Sequence, residues 1–162
     1  MRKVTLLTAL ASVLLAPGPS AAVQPCDNIR QILGEGAQYF QGLRGNFDFT
    51  FDYYTGTLPL NEFSNCYTSS HAGVTEYSCA QKIYQDSEAL AQQAWSKGQQ
   101  YLVACLGQEL KPERSSNGRY AYFKYGPTNT TIKVRYQRLV SKLHGVFYKI
   151  TIEFSEVDLR VN

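Results

Sequence analysis

The sequence predicts a two-layer α+β fold, in which a mainly antiparallel sheet of five or six strands carries two helices on one face. Two segments, 27–43 and 86–106, have apolar residues at helical spacing. Several strand-like segments lie between and after them, without the βαβ alternation that a parallel sheet requires. No linker divides the chain, so a single domain over 23–162 is expected.

The first helix is predicted over 27–43, with Asp27 as its N-cap. Its apolar stripe consists of Ile29, Ile32, Leu33, Ala37 and Phe40. Aromatic and polar residues then alternate, and this period of two predicts one strand over 47–53. Its aromatic positions are Phe47, Phe49, Phe51 and Tyr53.

Two further strands are predicted over 60–68 and 74–84, because the polar segment between them is typical of a hairpin loop. A second helix follows, which Asp86 can cap and Gly107 ends. The polar segment 108–118 is expected to be a loop.

Three strands close the chain, over 119–125, 130–138 and 145–154. In the last two, alternation places the apolar side chains on one face of the sheet. The cations on the opposite face are Lys133, Arg135 and Lys149.

Residues 1–22 have the pattern of a cleavable export signal. Arg2 and Lys3 supply the positive start, a short apolar run follows, and small residues precede the expected cleavage after Ala22. No later segment has 18 consecutive apolar residues, so no membrane span is expected. The chain is therefore predicted to be exported, either to a periplasm or to the outside of the cell.

The four cysteines after this signal predict two disulfides in an oxidising compartment. One connectivity joins Cys79 to Cys105 and Cys26 to Cys66, and it is preferred because the second helix, folded back over its strand, would bring Cys79 and Cys105 to one level. The other joins Cys66 to Cys79 across the hairpin and Cys26 to Cys105 between the helices.

The charge is unevenly distributed along the chain. Segment 111–149 contains nine basic residues and one acidic residue, whereas segment 23–110 contains four basic and nine acidic residues. An acidic protein is therefore the partner expected at the basic region. The predicted binding residues are Lys124, Lys133, Arg135 and Lys149. The alternative is a solvated sheet face whose charges prevent edge-to-edge pairing.

The sequence contains no motif for catalysis, metal binding or cofactor binding. His71 and His144 lie in predicted turns without a neighbouring nucleophile or ligand, and disulfide-bonded cysteines are not nucleophiles. Segment 119–125 interleaves basic and aromatic residues as single-strand binders do, but one short strand in an exported protein does not predict nucleic-acid binding. We therefore expect no enzyme activity, metal site or cofactor.

A set of short motifs resembles small exported bacterial proteins of uncharacterised families, which carry a cysteine hairpin, a long helix ending in Cys-Leu and a C-terminal antiparallel sheet. The motifs are Leu58-Pro59, Cys66-Tyr67, Tyr77-Ser78-Cys79, Glu88-Ala89 and Cys105-Leu106-Gly107. The layout is also similar to the two-layer shape of secretion chaperones and some periplasmic immunity proteins. The resemblance implies a fold class and brings no catalytic residue.

The leading functional hypothesis is a small exported, non-catalytic protein that binds another protein, as an immunity protein or inhibitor does. The 12 tyrosines favour it, because tyrosine supplies contact area at low entropic cost. A periplasmic carrier of a small apolar or anionic ligand, held between helix and sheet, is one alternative. An enzyme with an unrecognised site is another.

Overall fold

The computed structural model describes residues 26–114, 119–128 and 130–157, and the predicted export signal at 1–22 lies outside them. The described residues form one antiparallel sheet of eight strands with two α-helices. The helices are α1 (Cys26–Gly36) and α2 (Glu88–Leu106). The strands are β1 (Arg44–Asp48), β2 (Tyr53–Gly56), β3 (Asn65–His71), β4 (Val74–Ile83), β5 (Leu110–Arg114), β6 (Tyr120–Tyr125), β7 (Thr130–Ser141) and β8 (Gly145–Val157). The expectation of five or six strands is wrong, since the sheet is larger.

The strand order across the sheet is β1-β2-β3-β4-β8-β7-β6-β5. The chain builds one half of the sheet with β1 to β4, crosses it with α2, and builds the other half from the far edge inward. The long strand β8 therefore lies in the middle, paired with β4 on one side and with β7 on the other. Side chains of β4 and β7, one strand from each half, therefore flank those of β8. This arrangement positions the site described below.

One additional strand arises because segment 47–53 is a hairpin and not the single strand predicted. The Asp48 carboxylate accepts a hydrogen bond from the Thr50 amide at 2.9 Å, and Asp52 has a φ of 54°, so the chain reverses between them. Phe49 and Phe51 consequently lie in the turn, 90% and 68% exposed. The period of two in this segment does not come from one strand.

The second additional strand is β5, which occupies part of the segment predicted to be the loop 108–118. It pairs with β6, so that Leu110 lies opposite Tyr125, and both side chains are buried. A polar sequence can form an edge strand because only one of its sides must pair.

Other element boundaries also differ from the prediction. Helix α1 ends at Gly36 instead of continuing to residue 43, because Tyr39 and Phe40 adopt positive φ values of 53° and 57° that a helix does not allow. The N-cap of α2 is Ser87, whose hydroxyl accepts a bond from the Leu90 amide at 3.4 Å. Asp86 instead accepts a hydrogen bond from the Tyr148 hydroxyl at 3.3 Å.

The core lies between the helices and one face of the sheet. Both helices contribute to a single apolar cluster, and α2 packs against β7 and β8. Its fully buried members include Ile32, Leu102, Val134, Ile152 and Phe154. In the described part of the chain, no helix is both long and apolar enough to cross a membrane.

The structure contains two disulfides, and the preferred connectivity from the sequence is wrong. Cys66 lies directly opposite Cys79 on β3 and β4, and these two are joined, with 4.0 Å between their Cα atoms. Cys26 at the start of α1 is joined to Cys105 near the end of α2, with 5.2 Å between their Cα atoms. Helix α2 leads from β4 towards the far edge of the sheet, and this direction carries Cys105 away from Cys79.

Candidate functional site

The sheet face opposite the helices, which we call the open face, carries most of the charged side chains of the sheet. Residues directly opposite each other on neighbouring strands project to the same face. The register therefore aligns one row of side chains across five strands, from β3 to β6. The row is Tyr67, Ser78, Glu153, Lys133 and Tyr122.

A carboxylate is buried in the middle of this open face. The residue is Glu153, which is only 2% exposed. Its neighbours on the same face, Ser78 and Thr151, are fully buried, although α1 and α2 lie on the other face of the sheet. Burying an ionised carboxylate costs free energy unless the carboxylate is paired, so the stability of this site depends on the surrounding cations.

Two cations on β7 pair with this carboxylate. The Lys133 amine contacts Glu153 Oε2, and Arg135 Nη2 lies 2.9 Å from Oε1. The side chains of Lys133 and Arg135 are only 23% and 27% exposed. Their charged groups are thus held in fixed positions on the face, unlike freely solvated surface charges.

Glu153, Lys133 and Arg135 form a triad of charged groups, which we call the open-face triad. A second carboxylate, Glu76 on β4, lies beside it. Burial and, secondarily, the negative charge of Glu153 raise the pKa of Glu76 above its ordinary value of 4.5, although Lys133 and Arg135 act in the opposite direction. The Tyr67 hydroxyl faces the same group of charges. The centre of the open face is therefore a compact network of acids and bases.

A pair of lysines lies at one end of this network. Lys82 on β4 and Lys149 on β8 are directly opposite each other. The Lys149 amine lies over the Tyr67 ring, 5.4 Å from its centroid. Burial is the main factor that lowers the pKa of Lys149, and the positive charges of Arg135 and Lys82 lower it further.

Aromatic rings continue from this lysine pair across the face. Tyr67 and Tyr53 have centroids 5.2 Å apart, and Tyr53 stacks on Phe51 at 6.0 Å with 12° between the ring planes. These three rings, Lys82 and Lys149 line a groove of about 630 Å³, within the size range of ligand pockets. We call it the aromatic groove.

All four binding residues that the sequence predicts lie on the open face, because Lys124 on β6 is aligned with the same face of β7 and β8. On β3, β4, β6, β7 and β8 this face carries five cations and two carboxylates. The cations are Lys82, Lys124, Lys133, Arg135 and Lys149, and the carboxylates are Glu76 and Glu153.

Sequence reasoning missed Lys82, Glu153 and the rings of the groove. The position of Glu153 between Ile152 and Phe154 was an available signal, because an acid inside a strongly apolar strand often has a dedicated partner. The pairing of Lys82 with Lys149 depends on the register between β4 and β8, which the sequence does not reveal.

The two histidines lie apart from the open-face triad. His71 ends β3, while His144 is exposed in the turn before β8, with its ring 4.9 Å from that of Tyr84. Over residues 26–114, 119–128 and 130–157, no three His, Cys, Asp or Glu side chains are grouped so that they could hold a metal ion.

Comparisons of the chain with protein-family models, with curated proteins and with solved structures found no significant match. The function of the chain is therefore inferred from the geometry of the open face.

Proposed function

We propose that the chain is a small, non-catalytic binding protein whose open face binds an acidic surface of another protein, as an inhibitor or immunity protein does. The observation that carries the proposal is the excess of cations on the open face of β3, β4, β6, β7 and β8, five against two carboxylates. Complementary charge accelerates encounter with an acidic partner and disfavours basic ones.

The buried carboxylate supports this proposal by holding two of the cations in place. Buried ion pairs are seldom more stabilising than apolar residues of the same size, so Glu153 is not explained by stability alone. Its bonds to Lys133 and Arg135 fix long side chains that would otherwise lose rotamer freedom on binding. Glu153 is thus a positioning residue in the proposed interface.

Tyrosines flank the charged centre and suit a protein partner. Tyr120 and Tyr122 on β6 stack with their centroids 6.1 Å apart, and both are part-buried. Protein interfaces are enriched in tyrosine and arginine. The proposed location is outside the cytoplasm, and the two disulfides suit such an oxidising compartment.

The charge dependence of binding can be tested with poly-L-glutamate as a defined acidic polypeptide. We expect binding at low ionic strength that weakens as salt is added, because salt screens exposed charges. Lys124→Gln combined with Lys149→Gln should weaken it by roughly fivefold. Lys133 and Arg135 are left intact in this test, because removing them would leave Glu153 unpaired.

A matched control removes the same number of charges elsewhere. Lys97 on α2 and Lys142 in the turn before β8 are exposed and lie outside the open face. Lys97→Gln with Lys142→Gln should leave the affinity for poly-L-glutamate within twofold of the unmodified chain. Equal weakening in both double variants would overturn the proposal, since binding would then follow net charge and not this face.

The partner can be identified by incorporating a photo-cross-linking amino acid into the chain in the cells that produce it. Placed at Tyr122 on the open face, it should capture an acidic protein, and the purified partner should bind more slowly to the Lys124→Gln, Lys149→Gln variant at low salt. Placed at Ser96 on α2, it serves as the control. The proposal fails if both positions capture the same proteins, or if the purified partner binds the variant at an unchanged rate.

A further inference from the structure

Two lysines of the aromatic groove, Lys82 and Lys149, lie opposite each other on neighbouring strands. Like charges directly opposite on neighbouring strands destabilise a sheet, and Lys82 and Lys149 are so placed. Among the residues that the structure describes, no carboxylate lies within ion-pair distance of either amine. An anionic group bound between them would remove this repulsion.

The environment of Lys149 also favours a bound anion. Its amine is part-buried over the Tyr67 ring, and burial together with neighbouring positive charges lowers its pKa. Glu153 is the nearby carboxylate, and it is already engaged by Lys133 and Arg135. A ligand carboxylate would therefore supply a counter-charge to the Lys149 amine that is not shared with Lys133 and Arg135.

The rest of the groove favours an aromatic group beside that carboxylate. The Phe51 ring is 68% exposed and stacks on the Tyr53 ring. The Tyr53 ring in turn contacts that of Tyr67, so the three rings form an aromatic row. A planar ring laid on this row would bury exposed aromatic surface and gain stacking contacts. The row ends at Lys149, so a ring and a carboxylate can be satisfied by adjacent parts of one ligand.

We propose that the aromatic groove receives a segment of the partner protein that presents an aromatic ring next to a carboxylate. The ring packs on Phe51 and Tyr53, and the carboxylate lies between Lys82 and Lys149. This proposal rests on the proposed function and specifies which part of the partner enters the face. The groove volume of about 630 Å³ accommodates a few side chains.

Three short synthetic peptides test the ligand chemistry. Acetyl-Asp-Phe-Asp-amide carries the ring and the carboxylates, acetyl-Asn-Phe-Asn-amide lacks the charges, and acetyl-Asp-Ala-Asp-amide lacks the ring. NMR titration of the isotope-labelled chain should show saturable shifts for the first peptide at Tyr53, Tyr67, Lys82 and Lys149. The other two should bind at least about fivefold more weakly, which corresponds to about 1 kcal/mol. Equal affinity for all three peptides, or shifts centred elsewhere, would overturn the proposal.

Matched variants locate the binding. Lys82→Gln and Phe51→Ser should each weaken binding of acetyl-Asp-Phe-Asp-amide by up to about fivefold. Lys142→Gln and Phe49→Ser are the controls, because Lys142 lies in another turn and Phe49 shares the hairpin turn with Phe51 without lining the groove. If Phe49→Ser weakens binding as much as Phe51→Ser does, the peptide contacts the turn and not the groove.

The two proposals fail in different ways. If Lys124→Gln with Lys149→Gln weakens poly-L-glutamate binding while no peptide binds the groove, the groove proposal is wrong and the proposed function stands. If the peptide binds and depends on Lys82 and Phe51, but the double variant binds both poly-L-glutamate and the cross-linked partner as the control does, the proposed function is wrong. The groove is then a ligand site without an acidic protein partner.

Discussion

Arg135 Nη2 lies 2.9 Å from Glu153 Oε1 on the sheet face opposite α1 and α2, and the side chain of Glu153 is only 2% exposed. The amine of Lys133 contacts the other carboxylate oxygen, so one buried acid is held by two cations. Lys133 and Arg135 are therefore part-buried and paired, unlike the solvated charges of the alternative interpretation that the sequence left open for this face.

The first prediction concerns this triad. Lys133→Gln with Arg135→Gln should lower the free energy of unfolding by about 3–5 kcal/mol, because Glu153 is left buried and unpaired. Adding Glu153→Gln to the double variant should recover most of the loss, since no buried charge remains. Urea unfolding with the disulfides intact measures both effects. A loss below about 1 kcal/mol would show that the pairs behave as exposed ion pairs.

The second prediction concerns Glu76, whose pKa is raised in the folded chain by burial first and by Glu153 second. A raised folded pKa means that protonation stabilises the fold, fully below the ordinary value of 4.5 and progressively less as pH rises through the folded value. Glu76→Gln mimics the protonated group. It should therefore raise the free energy of unfolding at pH 7 and have no effect near pH 3.

Lys133, Arg135 and Tyr67 surround the Glu76 carboxylate, so its replacement could also change stability by altering contacts with them. Only a gain in the free energy of unfolding that depends on pH identifies protonation of Glu76 as the cause. Urea unfolding of Glu76→Gln and of the unmodified chain at several pH values measures it. Glu62→Gln, at an exposed carboxylate, is the control and should show no comparable gain. A gain for Glu76→Gln that is constant with pH would contradict a protonation effect.

The long elements could be predicted from the sequence because each has a sustained period. Helix α2 and the strands β4, β7 and β8 were predicted near their observed positions, since alternation and helical spacing extend over many residues in each. The face that carries Lys133, Arg135 and Lys149 follows from this alternation alone.

What could not be predicted depends on tertiary contacts. The aromatic alternation around Phe49 and Phe51 continues through a hairpin turn, which the Asp48 carboxylate stabilises locally. The polar strand β5 forms because the edge of β6 that does not pair with β7 is available to it. The aromatic groove was missed for the same reason, because it depends on a register that brings Lys82 opposite Lys149.

The third prediction concerns the disulfide connectivity, which trypsin alone can distinguish. No lysine or arginine lies between Arg44 and Lys82, so Cys66 and Cys79 belong to one tryptic peptide, 45–82. Without reduction, this peptide should carry an internal disulfide, and the peptide ending at Arg30 should be linked to the one that begins at Gly98. Mass spectrometry checks both. Linkage of 45–82 to either other peptide would contradict the connectivity.

The two bonds should also differ in their contribution to stability. On the loop-entropy model, the closure of 79 residues by Cys26–Cys105 contributes about 4.5 kcal/mol, and that of 13 residues by Cys66–Cys79 about 3 kcal/mol. Urea unfolding of Cys26→Ser with Cys105→Ser, and of Cys66→Ser with Cys79→Ser, should reproduce that order. The reverse order would show that native packing around the hairpin outweighs chain entropy.

The fourth prediction compares two glycines in contrasting surroundings. A Cβ on Gly56 would lie 2.7 Å from both Cys66 Cβ and the Tyr77 hydroxyl oxygen, which is too close. The Tyr77 hydroxyl donates a hydrogen bond to the Leu58 carbonyl at 2.8 Å, so it cannot move away from Gly56 without losing that hydrogen bond. Gly56→Ala should therefore destabilise the fold by about 1–3 kcal/mol.

Gly34, inside α1, supplies the matched comparison for that variant. No atom lies within 4 Å of a Cβ added there, and alanine favours a helix interior over glycine. Gly34→Ala should therefore stabilise the chain by up to about 1 kcal/mol, so the same substitution has opposite signs at the two positions. Thermal and urea unfolding of the two variants measure this. Stabilisation by Gly56→Ala would mean that the strand β2 does not approach Cys66 and Tyr77 as closely as the structure describes.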